Sequence, residues 1–249
     1  MKQTFYFLLC YLPVFCRPCF AQDSTSYQTV FPSGIDLQYN TGYVAVRDDY
    51  LSDERYGGSL SGFALQWSRY HETYGFRIGM FYQHTSRVTD YNVSADVTLS
   101  GFHFVDLYPV GTFDLFDKRV FLSLGPCADV FVYDRLQNMA ENYAFKSNAS
   151  LFSLGGRAET IIQLGGGFQA DGGVQLSLFS LVGGTNSGDT KLLMPWGGLQ
   201  GEAEIGARYY LIKCVSLRAG YDLQIMRINS WDYILASSDN GFLSLAYHF

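Results

Sequence analysis

Charged residues and proline are both scarce in this chain of 249 residues. Asp, Glu, Lys and Arg together make up 16% of the sequence, whereas soluble domains usually carry roughly 25%. There are only 6 prolines. Acidic residues outnumber basic ones by 23 to 17, which gives a formal net charge of −6. Because nucleic-acid-binding domains present a basic surface, this composition argues against a nucleic-acid partner.

Long apolar runs are also missing after residue 21. No segment there has 18 consecutive apolar residues, which argues against a membrane-spanning helix. Of the 5 cysteines, only Cys127 and Cys214 lie beyond residue 21, too few for a disulfide scaffold. The 4 histidines have no metal-ligand spacing, and no cofactor motif is found. We therefore expect neither a metal nor a cofactor.

Aromatic residues and glycine, by contrast, are abundant. Aromatic residues make up 17% of the chain, with 19 Tyr and 20 Phe, and there are 26 glycines. Aromatic side chains favour strands, and glycine favours the tight turns between them. The composition therefore predicts an all-β protein.

The N-terminal residues are typical of a secretory signal peptide. Lys2 supplies a positive charge, and the stretch Phe5–Phe15 is almost wholly apolar. Cys19 and Ala21 place small residues at the −3 and −1 positions of a cleavage site. We therefore predict that residues 1–21 are removed. Residues 22–34 would then form a short periplasmic lead-in to a single domain over residues 35–249.

The clearest pattern in the mature chain is an alternation with a period of two. In Leu199–Tyr209, small or apolar residues alternate with polar and charged ones, and Val215–Ile225 repeats the pattern. Alternation over about ten residues is typical of the strands of a transmembrane barrel. It is blurred in 96–108 and 119–133, whose facing stays open. Eight further segments bring the predicted strands to ten, with 8–12 possible: Ile35–Val46, Leu60–Tyr70, Tyr74–Gln83, Asp96–Tyr108, Arg119–Tyr133, Leu151–Leu164, Phe168–Leu181 and Gly241–Phe249.

The predicted connections alternate between short and long. Bacterial outer-membrane barrels have short periplasmic turns and longer external loops. A soluble periplasmic β-sandwich would share the strand pattern, and it stays an alternative at this point. The short connections are His71–Thr73, Pro109–Lys118, Gly165–Gly167 and Tyr210–Cys214. The long ones are Arg47–Ser59, His84–Ala95, Asp134–Ser150, Val182–Gly197 and Met226–Asn240.

The two mature cysteines are expected to stay free of each other. Cys214 lies at a short turn, whereas Cys127 lies about eight residues from the start of its strand, a rise of about 26 Å along the strand. A disulfide needs Cα atoms within about 7 Å.

The last strand carries a resemblance to a known family. Leu243, Leu245, Tyr247 and Phe249 lie on one face, and the sequence ends on that aromatic residue. In this it resembles the bacterial outer-membrane β-barrel proteins, whose last strand is amphipathic and ends in Phe. The resemblance implies a closed antiparallel up-and-down transmembrane β-barrel in the outer membrane. It also implies two partners, outer-membrane lipid and the barrel-assembly machinery, which would read these four residues.

Charged residues at the polar positions of the strands would collect in the barrel lumen. A barrel of about ten strands is narrow enough to be filled by side chains, so we interpret them as a closed network of ion pairs. The alternative is the selectivity lining of a narrow channel for small solutes. The residues are Arg77, Arg157, Glu159, Asp171, Glu202, Glu204, Arg208, Arg218 and Asp222.

An enzyme is a further alternative. Omptin proteases are ten-stranded barrels that use acidic residues and a His at the external rim, and lipid-A-modifying barrels are a second enzymatic type. No motif of either type is present, so we assign no catalytic residues. We expect a non-enzymatic barrel whose external loops contact a surface ligand or partner protein. The residues that an omptin-like site could use are Asp48, Asp49, Asp53, Glu54 and His84.

Overall fold

The computed structural model describes residues 33–48, 55–71, 74–85, 88–90, 93–139, 143–186, 189–229 and 233–249. The predicted signal peptide and nearly all of the lead-in lie outside these ranges, so cleavage after residue 21 stays a prediction. In the described ranges there is no helix long and apolar enough to cross a membrane. The strands are β1 (Gly34–Asp48), β2 (Arg55–Tyr70), β3 (Gly75–Thr85), β4 (Val88–Asp90), β5 (Val93–Leu115), β6 (Lys118–Met139), β7 (Tyr143–Gly165), β8 (Phe168–Asn186), β9 (Asp189–Ile212), β10 (Val215–Asn229) and β11 (Tyr233–His248).

The strands close into an antiparallel up-and-down barrel. Consecutive strands from β5 to β11 pair with one another, β11 pairs with β1, and β1, β2 and β3 follow in order. A further pairing of β3 with β5 closes the ring. The three residues of β4 pair with the first three residues of β5, Val93–Ala95. They therefore lengthen the β3–β5 pairing but do not add a strand to the wall. The wall therefore has ten strands, and the predicted fold class is confirmed.

The register shows that the strands are strongly staggered. The paired residues can be followed once around the wall from Thr112 on β5, through Gly206 on β9 and Asn40 on β1. This path returns to β5 at Leu99 rather than at its starting residue, Thr112. A closed barrel requires such a shear because its strands tilt relative to the axis. The tilt brings together, across the lumen, side chains that are far apart in sequence.

Side chains alternate between the two faces of the wall, as the sequence predicts. On β9, Ile205 is 66% exposed on the outer face, whereas Gln200 is 2% exposed and points inward. The same holds on β10, where Leu217 and Leu223 are exposed and Ser216 is buried. Apolar side chains thus cover the outside of the wall. An outer surface of this kind suits contact with lipid hydrocarbon.

Three turns at one end of the barrel are tight. The chain turns at Gly166–Gly167, where the positive φ angles of 62° and 82° are accessible to glycine without a steric penalty. The turn at 213–214 was also predicted. The predicted ten-residue connection Pro109–Lys118 is wrong, because β5 runs on to Leu115. A two-residue turn follows, with φ angles of 52° at Phe116 and 58° at Asp117, as in primed hairpin turns.

The opposite end also differs from the prediction. The long polar segments are mostly paired strand: β6 and β7 are separated by residues 140–142 alone, and β8 and β9 by 187–188 alone. Pairing across a hairpin satisfies the backbone hydrogen bonds of polar segments as well as those of apolar ones. With 22, 23 and 24 residues, β6, β7 and β9 are about twice as long as the 9–11 residues that span a bilayer. These strands are therefore longer than a bilayer requires.

Near the short turns, the inner face of the β5–β6 wall is apolar. Val105 and Leu107 on β5 point inward and pack with Cys127 of β6 and the ring of Tyr70 in an apolar cluster. Alternation in the sequence is blurred here because apolar residues occupy both faces. The thiols of Cys127 and Cys214 are both free, as expected.

Candidate functional site

Arg157 lies at the centre of the lumen with only 3% of its surface exposed. Its Nε donates to Oε1 of Glu159 at 2.5 Å, its Nη1 to Oε1 of Glu202 at 2.6 Å, and its Nη2 to Oε2 of Glu204 at 2.8 Å. Glu159 is two residues away on the same face of β7, and the other two are consecutive inward residues of β9. Each of the three guanidinium nitrogens therefore contacts a carboxylate. The planar set of N–H donors of arginine is suited to this arrangement.

Two further arginines extend these contacts across the barrel. Arg77 on β3 donates from Nη2 to Oε1 of Glu159 at 2.5 Å. In the wall, β3 and β7 are separated by β5 and β6, so this ion pair crosses the lumen. On the other side, Arg218 of β10 is bound to both Asp171 and Glu204. We call this network the charge layer; its members are Arg77, Arg157, Glu159, Asp171, Glu202, Glu204 and Arg218.

The charge layer lies between two cavities. Following the predicted orientation, we call the cavity near the short turns the periplasmic cavity. It has a volume of about 70 Å³ and is lined by residues such as Ser68 and His248. The external cavity, named in the same way, has a volume of about 170 Å³ and is lined by residues toward the long hairpins, such as Val44 and Ser238. Arg77, Arg157 and Glu204 line both of them. The layer thus divides the lumen into two compartments.

A second polar cluster surrounds Asp129 of β6, which is 4% exposed. One of its carboxylate oxygens contacts Nδ1 of His103. The other accepts hydrogen bonds from Oγ of Ser153 at 2.9 Å and from Nε2 of Gln175 at 2.8 Å. Sequence reasoning missed this cluster because the facing of β5 and β6 was open. Once Ser123 is known to face inward, counting in steps of two along β6 places Asp129 in the lumen.

All nine residues that the sequence assigned to the lumen lie on its inner face. Eight of them make ion pairs, including Arg208, whose Nη2 lies 3.8 Å from Oδ2 of Asp36. The ninth, Asp222, makes none among the described residues, and its buried Oδ1 has no hydrogen-bond partner there. Their common role as a lumen network stays a prediction.

The lumen is more acidic than the sequence suggested, because Asp36 and Asp129 also face inward. Its described arginines are Arg77, Arg157, Arg208 and Arg218, and its described carboxylates are Asp36, Asp129, Glu159, Asp171, Glu202, Glu204 and Asp222. Carboxylates therefore outnumber guanidinium groups.

The residues considered for a rim enzyme do not form a site in the described part of the chain. His84 lies between the buried residues Gln83 and Thr85, on the outer face, where its Nδ1 is 3.2 Å from Oγ1 of Thr98. The loop carboxylates from Asp48 to Glu54 lie outside the side chains that the structure describes. Within the described ranges, no group of three or more His, Cys, Asp or Glu side chains is arranged to hold a metal ion.

The outer face completes the description of the wall. Aromatic rings pack on it near the short turns, with Trp67 and Phe76 5.1 Å apart and Phe168 and Tyr209 4.4 Å apart between ring centroids. Rings at this level match the aromatic girdle of a membrane interface. The wall is closed, apolar outside and charged inside. This is the architecture of an outer-membrane β-barrel.

The terminal strand contributes to this outer face. Leu243, Leu245 and Phe249 are exposed on it, and Tyr247 is half-buried. The backbone N–H of Phe249 donates to the carbonyl of Ser33 at 3.2 Å, at the seam between β11 and β1. The role of these four residues as an assembly signal stays a prediction.

No family model and no curated protein matches this barrel. Among solved structures it is similar to the translocator domain of autotransporter NalP from Neisseria meningitidis, with a TM-score of 0.49 and 11% identity over 98% of this chain and 95% of that one. It is also similar to the outer membrane protease OmpT from Escherichia coli, with a TM-score of 0.49 and 9% identity over 91% and 100% of the two chains. For Ail of Yersinia pestis, the TM-score is 0.33, with 7% identity over 88% and 100%. Likeness at this level concerns the barrel fold alone.

Proposed function

We propose that this chain is a non-enzymatic integral protein of the bacterial outer membrane with two working parts. Its lumen is closed to solutes by the charge layer, and its external hairpins and loops contact a ligand or partner protein at the cell surface. The closed lumen rests on one observation, the burial of Arg157 between Glu159, Glu202 and Glu204. The surface role rests on the hairpins whose strands are longer than a bilayer requires.

Opening the charge layer would be costly. Removing one partner of a buried ion pair leaves an uncompensated charge, at a cost of about 3–5 kcal/mol. Arg157, Arg77 and Arg218 share carboxylates, so moving one of them disturbs the others. Barrels of eight strands are filled by side chains, whereas open porins have sixteen or more strands, and ten is close to the filled size. These features support a structural plug rather than a permeation path.

Conductance across a planar lipid bilayer tests the closed lumen. Wild-type protein should show no stable open level. The double variant R157S/E204S removes one cation and one anion from the layer, shortens both side chains, and should create a conducting path. The matched control is D114N/R119Q, which removes the exposed ion pair of the β5–β6 hairpin and should stay closed. A wild-type barrel with a steady, ion-selective conductance would instead establish the narrow channel.

Epitope insertion tests the orientation and the surface exposure of the hairpins. A tag inserted after Gly188, between β8 and β9, should be accessible to antibody on intact cells. The matched insertion after Gly166, in the short turn between β7 and β8, should be accessible only after the outer membrane is permeabilised. The reverse pattern would place the long hairpins in the periplasm and remove the surface role.

Outer-membrane lipid and the barrel-assembly machinery are the partners that we propose for the wall. The outward side chains of Leu243, Leu245 and Phe249 support this part of the proposal. Deleting Phe249 should lower the fraction of heat-modifiable, assembled protein in cells, whereas deleting Gly188 from a hairpin tip should not. Equal assembly of both variants would contradict an assembly signal at the C-terminus.

A hydrolase of the Ser–His type needs a serine that is bound to the base and open to a substrate. Oγ of Ser216 lies 2.7 Å from Nε2 of His248, but Ser216 is fully buried. Oγ of Ser153 donates to Asp129 rather than to His103. OmpT is named as a protease, but its likeness to this chain is one of fold. We therefore do not propose a reaction.

A further inference from the structure

Two side chains that line the external cavity hold acceptor oxygens without a donor among the described residues, Oε1 of Gln200 on β9 and Oδ1 of Asp222 on β10. Oδ1 of Asn240 on β11 is a third such oxygen, although Asn240 does not line the cavity. Gln200 and Asn240 are 2% and 1% exposed. Asp222 is paired in register with Asn240, and both Gln200 and Asp222 line the cavity. A buried acceptor without a donor costs free energy, so these positions call for a donor from outside the chain.

The charge around this cavity specifies the kind of donor. Glu202 and Asp222 both line it, on neighbouring strands. Arg157 faces Glu202 but is shared with Glu159 and Glu204, and Asp222 has no cationic partner among the described contacts. A carboxylate in a partly buried site favours an opposite charge within hydrogen-bond reach. The missing donor is therefore cationic.

The shape of the cavity favours an organic ion. Its volume of about 170 Å³ is far above the roughly 10–15 Å³ that one water molecule needs by the same measure. Apolar side chains, among them Phe81, Phe131 and Met226, also line it. No described cluster has the three acidic, His or Cys ligands that a metal ion would use. Acidic acceptors together with an apolar lining suit an ammonium group that carries a short hydrocarbon part.

We propose that the external cavity binds a small organic ammonium ion. Its N–H groups donate to Asp222 and to the carbonyl oxygen of Gln200, and its hydrocarbon part contacts the apolar lining. This site lies on the external side of the charge layer, so binding needs no permeation through the barrel. It goes beyond the proposed function, and a closed lumen is compatible with either outcome of the test below.

Isothermal titration calorimetry on the full barrel in detergent micelles tests the site. The probe is n-propylammonium chloride, with 1-propanol as the uncharged probe of equal size and potassium chloride at matched ionic strength. Wild-type protein should give saturable binding of the ammonium ion and none of the other two. The variant D222N should bind at least about tenfold more weakly, because it loses the charge and keeps the size.

The matched control is D239N. Asp239 is the chain neighbour of Asn240 and points to the other face of β11, so its loss should leave the affinity unchanged. Q200L removes the carbonyl acceptor together with the amide NH2 and leaves the net charge unchanged. It should weaken binding in the same direction as D222N, and it replaces D222N in the test if D222N does not fold. Heat-modifiable migration checks the folding of each variant.

Thermal unfolding gives an independent readout. Without probe, D222N should melt above wild type, because an uncompensated carboxylate has been removed. With propylammonium, the melting temperature of wild type should rise and that of D222N should not. Three results would each overturn the proposal: equal binding of 1-propanol, equal affinity of D222N and wild type, or the absence of saturable binding to wild type.

Discussion

Two walls of the same barrel carry different kinds of residue on their inner faces. The β9–β10 wall alternates cleanly over Leu199–Tyr209 and Val215–Ile225, with Glu202, Glu204 and Arg218 inside and glycine, aliphatic or aromatic residues outside. The β5–β6 wall places Val105, Leu107 and Cys127 inside. On its outer face it carries an exposed carboxylate, Asp106, between Phe104 and Tyr108.

The difference shows that the interior of a narrow barrel is filled according to what faces each wall. Across from β9 and β10 the lumen holds guanidinium groups, which need carboxylates within reach. Near the short turns, β5 and β6 face the ring of Tyr70, and apolar groups pack against it. The lumen is therefore polar only on average over its walls. An apolar residue that points inward does not by itself indicate a wrong strand register.

The largest expected effect is on the β9–β10 side, at the cation that its carboxylates share. Arg157→Leu leaves Glu159, Glu202 and Glu204 without their central partner and should lower the free energy of unfolding by about 3–5 kcal/mol. Urea titration in lipid vesicles measures this change. Arg119→Leu, which breaks an exposed pair with Asp114, should cost less than about 1 kcal/mol. A similar small cost for both variants would mean that the charge layer is not formed.

On the β5–β6 side, the expected loss of stability comes from packing. Leu107→Ala should lower the free energy of unfolding by about 2–5 kcal/mol, because it leaves a cavity beside Val105 and Cys127. Leu217→Ala on the outer face of β10 should cost less, because lipid chains can fill the space. The same titration compares the two. A larger loss at Leu217 would indicate that the β5–β6 cluster is not a packed core.

The two faces of β9 can be compared directly. Ala203→Arg puts a guanidinium on the lipid face and should cost about 2–4 kcal/mol if the site is near the midplane. Gln200→Arg should cost less, because the new cation would face Glu202 and Asp222 in the external cavity. Unfolding in vesicles measures both variants. Equal costs would contradict the assigned facing of β9.

The smallest effect concerns the outward carboxylate of β5. Asp106→Leu should stabilise the barrel by about 1 kcal/mol or less, because the wild-type side chain is a polar group among lipid-facing rings. Asp114→Leu, nearer the turn and paired with Arg119, should give no gain. A destabilised Asp106→Leu variant would show that this carboxylate has a polar partner at the outer surface.

The fold could be predicted largely from the sequence, because a period of two depends only on local chain geometry. All ten wall strands overlap the segments predicted for them, most clearly at Leu199–Tyr209 and Val215–Ile225, where the alternation is regular. Strand ends were the weak point. Polar segments such as 134–150 look like loops in the sequence, yet they pair across a hairpin, which no local pattern reveals.

The sequence by itself determined which residues face the lumen wherever the alternation was clear, because neighbouring side chains of a strand must point to opposite faces. Only the tertiary structure decided which charges meet. Arg157 binds Glu202 and Glu204, and Arg77 reaches Glu159 across the lumen. Among the residues that the structure describes, it also left Asp222 without a cationic partner. These pairings depend on the stagger between strands and the width of the closed ring, and neither is encoded by the pattern of any single strand.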